Sequence, residues 1–395
     1  MSWKKEELGK ICKTSSGGTP SRKYPEYYEN GEIPWVKSGE LENNTIISAE
    51  ECISRDGLEN SNAKIFPPGT LLIALYGATI GKLAFLGIEA ATNQAVCGIF
   101  ENEKVTLKYL YYFLLFNRPN LIKKGMGGAQ SNISQTILKQ LLVPYPVSMN
   151  AQMDIVSRIE ELFSKLDKGV ETLQTIKQQL AVYRQAVYSS NFNKIRDFRP
   201  IVDFFEISGG LTKNSKRKEL PQQVPYLRVA NVYYNCLELD VIKTIGVTEK
   251  ELQKCSLKTS DLLFVEGNGS KSQIGRVAMW DGSIETCVHQ NHLIRGRANG
   301  KILPKYALYY LISQEGRKQI VDIAKSTSGL YTLSINKVKN LQIPFCSRPE
   351  QETILNEIEA RLSVCDSIEQ TVDEALAQAD AMRQSILKQA FEGEI

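Results

Sequence analysis

The sequence has only two histidines, His289 and His292, and no Cys-x-x-Cys pair. Nor has it an apolar run of the roughly 18 residues that a membrane-spanning helix needs. So few imidazoles argue against a hydrolase built on histidine chemistry. The eight cysteines, scattered from Cys12 to Cys365, follow neither a disulfide framework nor a zinc spacing, and are expected to be reduced core residues. The longest apolar candidate, residues 66–81, is interrupted by Pro67-Pro68-Gly69. The start, Met1-Ser2-Trp3-Lys4-Lys5-Glu6-Glu7, has no apolar core and no cleavage site, so no signal peptide is expected. The expectation is a soluble, cytoplasmic protein with no membrane partner.

Hydrophobic residues make up 42% and charged residues 23% of the 395 positions, which excludes wholesale disorder. The length is too great for one ordinary domain and suggests two to three. The net charge of +4 conceals an asymmetry. Residues 1–147 carry +2 and 148–198 carry +1, whereas 199–346 carry +8 and 347–395 carry −7. A strongly basic globular segment beside an acidic tail implies different partners for the two.

The chain is written twice. Ile33-Pro34-Trp35-Val36-Lys37-Ser38-Gly39-Glu40-Leu41 answers Val224-Pro225-Tyr226-Leu227-Arg228-Val229-Ala230-Asn231-Val232. Gly69-Thr70-Leu71-Leu72-Ile73 returns as Ser260-Asp261-Leu262-Leu263-Phe264, each followed by a glycine-rich turn and then Ile80-Gly81-Lys82 or Ile274-Gly275-Arg276. Lys108-Tyr109 matches Lys305-Tyr306, Asn132-Ile133-Ser134 matches Thr332-Leu333-Ser334, and Arg184-Gln185-Ala186-Val187 matches Arg383-Gln384-Ser385-Ile386. The offset starts at 191 and settles at 199. A period this long is a duplicated domain, not a solenoid or propeller repeat.

In each copy the first part is punctuated by Gly, Pro, Asn and Ser around short β-rich runs, at 70–75 and 261–265. Tyr/Leu-rich stretches at 107–117 and 304–314 predict inward-packing helices. The fold class is therefore α+β with a mostly antiparallel sheet. The tails differ. Ile155, Ile159, Leu162, Leu166, Val170, Leu173, Ile176, Leu180, Tyr183 and Val187 fall at steps of 3 and 4. Ile354, Ile358, Leu362, Cys365, Ile368, Val372, Ala375, Ala379, Met382 and Ile386 repeat the pattern. These are heptad seams, with Pro144, Pro146 and Pro349 near the helix starts, where proline is tolerated. One narrow seam per helix demands a partner, and the other copy's tail is the nearest candidate. The resulting expectation is two homologous globular domains joined by two long antiparallel coiled-coil helices with pseudo-twofold symmetry. The domain boundaries are 1–147 and 199–346 for the globular units, 148–198 for a central spacer helix and 347–395 for a C-terminal one.

This order of motifs resembles the specificity subunits of type I restriction–modification systems. The tail signatures Arg184-Gln185-Ala186-Val187 and Arg383-Gln384-Ser385-Ile386-Leu387-Lys388-Gln389-Ala390-Phe391-Glu392-Gly393 carry the likeness. So do Gly17-Gly18-Thr19-Pro20-Ser21, Ile33-Pro34-Trp35 and the Ile-Gly-Lys/Arg turns. The second copy departs at the front, with Ser208-Gly209-Gly210-Leu211-Thr212 in place of Gly-Gly-Thr-Pro-Ser. The resemblance implies that each globular unit is a target recognition domain reading one half of an asymmetric, bipartite double-stranded DNA site. It implies a non-catalytic chain that scaffolds two methyltransferase subunits, which bind S-adenosylmethionine, and through them ATP- and magnesium-dependent restriction subunits if these are present. The chain itself would carry no cofactor. The alternative is a coiled-coil adaptor whose heads bind proteins without DNA specificity.

Reading DNA requires cations for phosphates, and amide, guanidinium or hydroxyl groups for base edges. In copy one the candidates are Thr19, Ser21, Arg22, Lys23, Lys37, Ser38, Thr79, Lys82, Gln130, Ser131 and Asn132. In copy two they are Lys213, Asn214, Lys216, Arg217, Lys218, Arg228, Asn231, Asn268, Ser270, Lys271, Gln273, Arg276 and Tyr331. Any one of them could equally be a solvated loop residue; the argument is their recurrence at matching places. The glycine turns are expected to let DNA backbone approach closely.

Competing chemistries fit poorly. Gly77-Ala78-Thr79-Ile80-Gly81-Lys82 ends like a P-loop, but Tyr76 replaces its first glycine and Leu83 its magnesium-holding hydroxyl. Cys287, His289 and His292 have no counterpart in Ala91-Thr92-Asn93-Gln94-Ala95-Val96 and no evident fourth zinc ligand. The only Pro-Pro, Pro67-Pro68, is not preceded by the Asp or Asn of a base-flipping methyltransferase loop.

Overall fold

The computed structural model describes residues 2–125, 132–327 and 329–395, with only the backbone of 325–327. It divides into two compact units, Met1–Leu173 with Glu374–Ile395, and Gln174–Asp373.

The first unit is built on a five-stranded sheet in the order Thr14–Ser16, Val96–Ile99, Leu71–Ala74, Leu83–Leu86, Asn44–Ile46. All neighbours are antiparallel except the last pair. A smaller sheet runs Cys52–Ile53, Ile33–Val36, Ala90–Thr92, Ile65–Phe66, with a parallel pairing of Trp35 to Ala91 and Val36 to Thr92. The central run 71–75 is apolar at every position because both faces of its sheet are covered. Leu71, Ile73 and Leu75 enter the core against the helices, while Leu72 and Ala74 enter a second core on the opposite side. This is the two-residue alternation of a strand, with no solvent face.

The second unit repeats the plan. Its main sheet is Phe205–Gly209, Leu293–Ala298, Leu262–Val265, Val277–Met279, and Leu262 and Phe264 face one core while Leu263 and Val265 face the other. Its smaller sheet is Lys243–Val247, Gln222–Leu227, Val288–His289, again with a parallel pair, Tyr226 to Val288 and Leu227 to His289. The predicted helix at 107–117 is longer, Leu107–Gly125. Its counterpart breaks into Pro304–Ile312 and Gln314–Ile323 at Ser313, whose hydroxyl accepts the amide of Gly316 and starts a new helix.

Two long helices, Met149–Phe192 and Arg348–Glu392, carry the heptad seams. Pro349 lies in the first turn of the second, where no helical amide partner is lost. Within the second unit the two helices run antiparallel, with Lys177 paired to Asp373 at 2.7 Å and Arg184 to Asp366 at 2.7 Å. Within the first unit Arg383 pairs with Asp167. These two arginines are the ones that open the tail signatures, and both the arginine and its aspartate recur at an offset of 199. Tyr183 and Met382, read as seam positions, are instead 47% and 54% exposed, as is Ile368 at 41%. The residue that turns inward beside the first two is the arginine, which reaches across to the facing helix.

The helix ends complete the cores of the units. Phe391 stands 5.2 Å from Tyr109 and 5.3 Å from Phe113 in the first unit. Phe192 stands 5.3 Å from Tyr306 and 5.4 Å from Tyr310 in the second. Each buried ring contributes about 1.5–3 kcal/mol by area alone. At the other end of each helix a buried glutamine fastens helix to sheet domain. Gln152 accepts the amide of Thr106 and donates to the carbonyl of Pro146; Gln351 does the same with Leu303 and Cys346, all four bonds at 2.9 Å. No helix among the described residues is long and apolar enough to cross a membrane.

Candidate nucleic-acid interface

In each unit the candidates gather at two places. The first lies beside the smaller sheet. There Lys37 and Arg228 precede short helical turns, Ser38–Glu40 and Val229–Asn231, and their amides are capped by Glu40 at 2.7 Å and Asn231 at 3.0 Å. The matched positions therefore use different side chains for one backbone task. The second place is the glycine turn that joins Leu71–Ala74 to Leu83–Leu86 in the first unit and Leu262–Val265 to Val277–Met279 in the second.

The two turns share a left-handed glycine and one set of backbone hydrogen bonds. Gly81 and Gly275 have φ of +73° and +60°, a region open to glycine. Their amides donate to the carbonyls of Ala74 at 2.8 Å and Val265 at 3.1 Å. The amides of Ile133 and Leu333 then donate to Leu75 and Glu266 at 2.9 and 2.7 Å, bringing the segments that precede Ser134 and Ser334 alongside the turns. Ser134 and Ser334 cap the helices that follow, Gln135–Lys139 and Ile335–Lys339. The repeated Ile/Leu-Ser motif is thus a buried apolar anchor and a cap. Gly77 and Gly269 have open space where a Cβ would stand, although Gly77 is left-handed at φ +68°; at Gly81 and Gly275 a left-handed backbone combines with close neighbours, Arg118 at the first and Ile320 and Leu333 at the second.

Several candidates have partners within the chain. Arg22 forms a bidentate pair with Glu51 at 2.5 and 2.7 Å and lies 3.8 Å from the Tyr28 ring. Its hydrogen bonds hold the Glu51 carboxyl below the usual carboxylate range. Lys37 reaches Glu50 at 3.1 Å, and Lys82 lies 3.9 Å from Glu42. Arg217 binds Glu251 and the carbonyls of Thr212 and Gly246, and Glu251 is pushed down to about 2, first by that arginine. Arg228 donates to the carbonyl of Val241. Asn231, only 2% exposed, donates to the carbonyl of Glu238 at 2.7 Å. Arg276, 7% exposed, donates to Val229 and lies 4.5 Å from the Tyr233 ring. Asn231 and Arg276 are thus buried and have partners within the chain.

Thr19, Ser21, Lys23, Asn132, Lys213, Asn214, Lys216, Lys218, Ser270 and Lys271 are exposed, and Ser38, Thr79, Asn268, Gln273 and Tyr331 are half-buried. Thr79 donates to Tyr76, Asn214 caps Arg217, Asn268 accepts from Ser270, and Tyr331 pairs its backbone with Asn268. Gln130 and Ser131 lie outside the described residues.

Sequence reading missed the exposed aromatics beside these turns: Tyr24 at 49%, Tyr76 at 37%, Tyr233 at 43% and Tyr234 at 37% exposed. It also missed Arg118 and Arg317, which bind the glycine turns from the helices. The 199-residue offset that relates these two arginines was the available signal. Cys287 and His289 are buried while His292 is exposed beside Glu266, and among the described residues no group of His, Cys, Asp and Glu is arranged to hold a metal ion.

One sheet-and-helix unit made twice, with the same polar turns fixed at equivalent places, defines a duplicated-module protein. Residues 1–181 and 196–378 each match the family model described as the type I restriction modification DNA specificity domain, and the chain belongs to that family. It is 26% identical to the type I restriction enzyme EcoKI specificity subunit of Escherichia coli K12, over 93% of this chain and 84% of the relative. It is 24% identical to the StySPI specificity subunit of Salmonella potsdam, again over 93% and 84%. A chain from a structure of type I R-M complex assembly and conformational transition shares the fold, with a TM-score of 0.72 at 15% identity over 100% of this chain and 98% of that one. The HsdS subunit from Thermoanaerobacter tengcongensis does so with a TM-score of 0.52 at 16% identity, covering 100% and 97%.

Proposed function

We propose that this chain is the non-catalytic, sequence-specific DNA-binding subunit of a type I restriction–modification complex. The supporting observation is the duplicated turn: one backbone device, held by matched hydrogen bonds, presenting Thr79 and Lys82 in one unit and Asn268, Ser270, Lys271 and Gln273 in the other. Equal scaffolds with unequal side chains suit two readers of unlike half-sites, hence an asymmetric bipartite target. In this reading residues 1–147 and 199–346 are the target recognition domains, and 148–198 and 347–395 are helical spacers that carry two methyltransferase subunits, and restriction subunits where these accompany them. S-adenosylmethionine, ATP and magnesium belong to those partners, and the complex works in the cytoplasm. Among the candidates, the exposed cations Lys23, Lys213, Lys216 and Lys271 suit phosphates, and the turn amides and hydroxyls suit base edges.

Single-molecule methylome sequencing of cells expressing this chain with its methyltransferase tests the reading. The expected motif is two unlike specified segments around an unspecified gap, and replacing residues 1–147 by another head should change one segment only. A methylome without any bipartite motif, or failure to bind any duplex at any salt concentration, would instead favour a protein-binding adaptor.

A further inference from the structure

The tips of the glycine turns, residues 76–78 and 269–272, are exposed and must be ordered if their side chains are to read anything, and ordering a free loop on binding costs affinity and precision. In each unit one arginine from outside the turn holds it by its carbonyls. Arg317 donates to Gly275 at 2.8 Å and to Ile274 at 2.7 Å, with a third, longer bond to Ser272 at 3.4 Å. Its guanidinium lies 4.9 Å from the ring of Tyr234, whose hydroxyl also donates to Ser272. Arg118, at the equivalent place 199 residues earlier, donates through Nε to Ile80 at 3.2 Å, and its Cγ fills the space against Gly81. Both arginines are half-buried, and among the described residues neither has a carboxylate within ion-pair distance. Burying a guanidinium without an opposite charge is unfavourable, and burial holds Arg317 below its ordinary value. The buried Asp261 of the same unit, by contrast, has Arg297 as its partner at 2.6 Å.

We infer that Arg118 and Arg317 are positioning residues of the two DNA-reading turns. Each fixes its own turn before the duplex arrives, and its unpaired charge adds to the positive potential that a phosphate backbone meets there. The inference rests on the DNA-reading function proposed above. At Arg317 the planar fork spans two adjacent carbonyls, which a lysine ammonium, a single point charge on a flexible stem, does not; at Arg118 the directed Nε–H is what a lysine lacks. Lysine therefore separates the clamp from the charge.

The test uses the full chain in complex with its methyltransferase subunits, first mapping the wild-type motif by methylome sequencing. Absence of a bipartite motif in the wild type defeats the function itself. Given such a motif, Arg317→Lys should keep the salt dependence of duplex binding and the melting temperature. Its preference for the intact site over one with a scrambled half should fall about tenfold, the scale of one lost base contact, at one half-site only. Arg118→Lys should loosen the other half-site. Should Arg317→Lys melt early, Tyr234→Phe, which removes one bond to the same turn, is read instead and should loosen the same half-site more weakly. Folded variants that read both half-sites as sharply as the wild type, or that loosen both equally, overturn the inference.

Discussion

The side-chain oxygen of Gln351 accepts the main-chain amide of Leu303 at 2.9 Å, joining the first turn of a long helix to the start of the helix packed against the sheet. Gln351 is fully buried, and its amide nitrogen donates to Cys346 at 2.9 Å. Replacing it by leucine preserves bulk but strands an amide and a carbonyl without partners. We expect Gln351→Leu to destabilise the second unit by about 1–3 kcal/mol for each group left unpaired. The surface change Gln384→Leu should stay within about 0.5 kcal/mol. Urea unfolding of the two variants checks this; equal midpoints would show that the buried amide is not the fastening.

His289 gives the second unit an acid-sensitive core. It is fully buried, its Nδ1 faces the carbonyl of Cys255 at 3.1 Å, and its Nε2 has no partner. Burial, then the nearby positive charge of Arg295, pushes it down to about 4. An unfolded histidine takes up its proton near pH 6.5, so below that value the unfolded chain binds a proton that the folded chain does not. The stabilisation from a neutral His289 is complete above about pH 6.5 and is lost as pH falls toward about 4, by about 3 kcal/mol over that window. His289→Gln should remove this slope, read as the difference between the two stability–pH curves; parallel curves would refute it. The first unit places Thr92 at this position, so it lacks the titrating group.

Arg184 faces both Asp366 and Glu369, at 2.7 and 2.8 Å. Arg184→Glu would set three carboxylates together on the paired helices, and a loss of about 1–2 kcal/mol is expected, falling with added salt. Combining it with Glu369→Arg should recover part of that loss. A double-mutant cycle measures the coupling, and additive effects would mean that the pair does not hold the helices in register.

The duplication, the α+β class and the helical tails were legible in the sequence because each is written as a linear pattern. Short β-rich runs between Gly, Pro, Asn and Ser mark strands, steps of 3 and 4 mark a helix, and a motif repeated at 199 residues marks a second copy. The polar turns were legible as places, but not as roles. Arg22 and Arg217 meet acids 29 and 34 residues away, and Arg276 meets a carbonyl 47 residues away. Such partners are set by strand register and by which helix crosses which turn, so no local pattern distinguishes a cation held inside the fold from one left facing water. For the same reason Tyr183 and Met382 kept a seam's spacing yet turned outward, since the neighbouring arginines took the facing positions. Local chemistry alone determined which elements form and that they form twice; long-range packing decided which of their polar groups remain free, because burial and pairing belong to the whole chain.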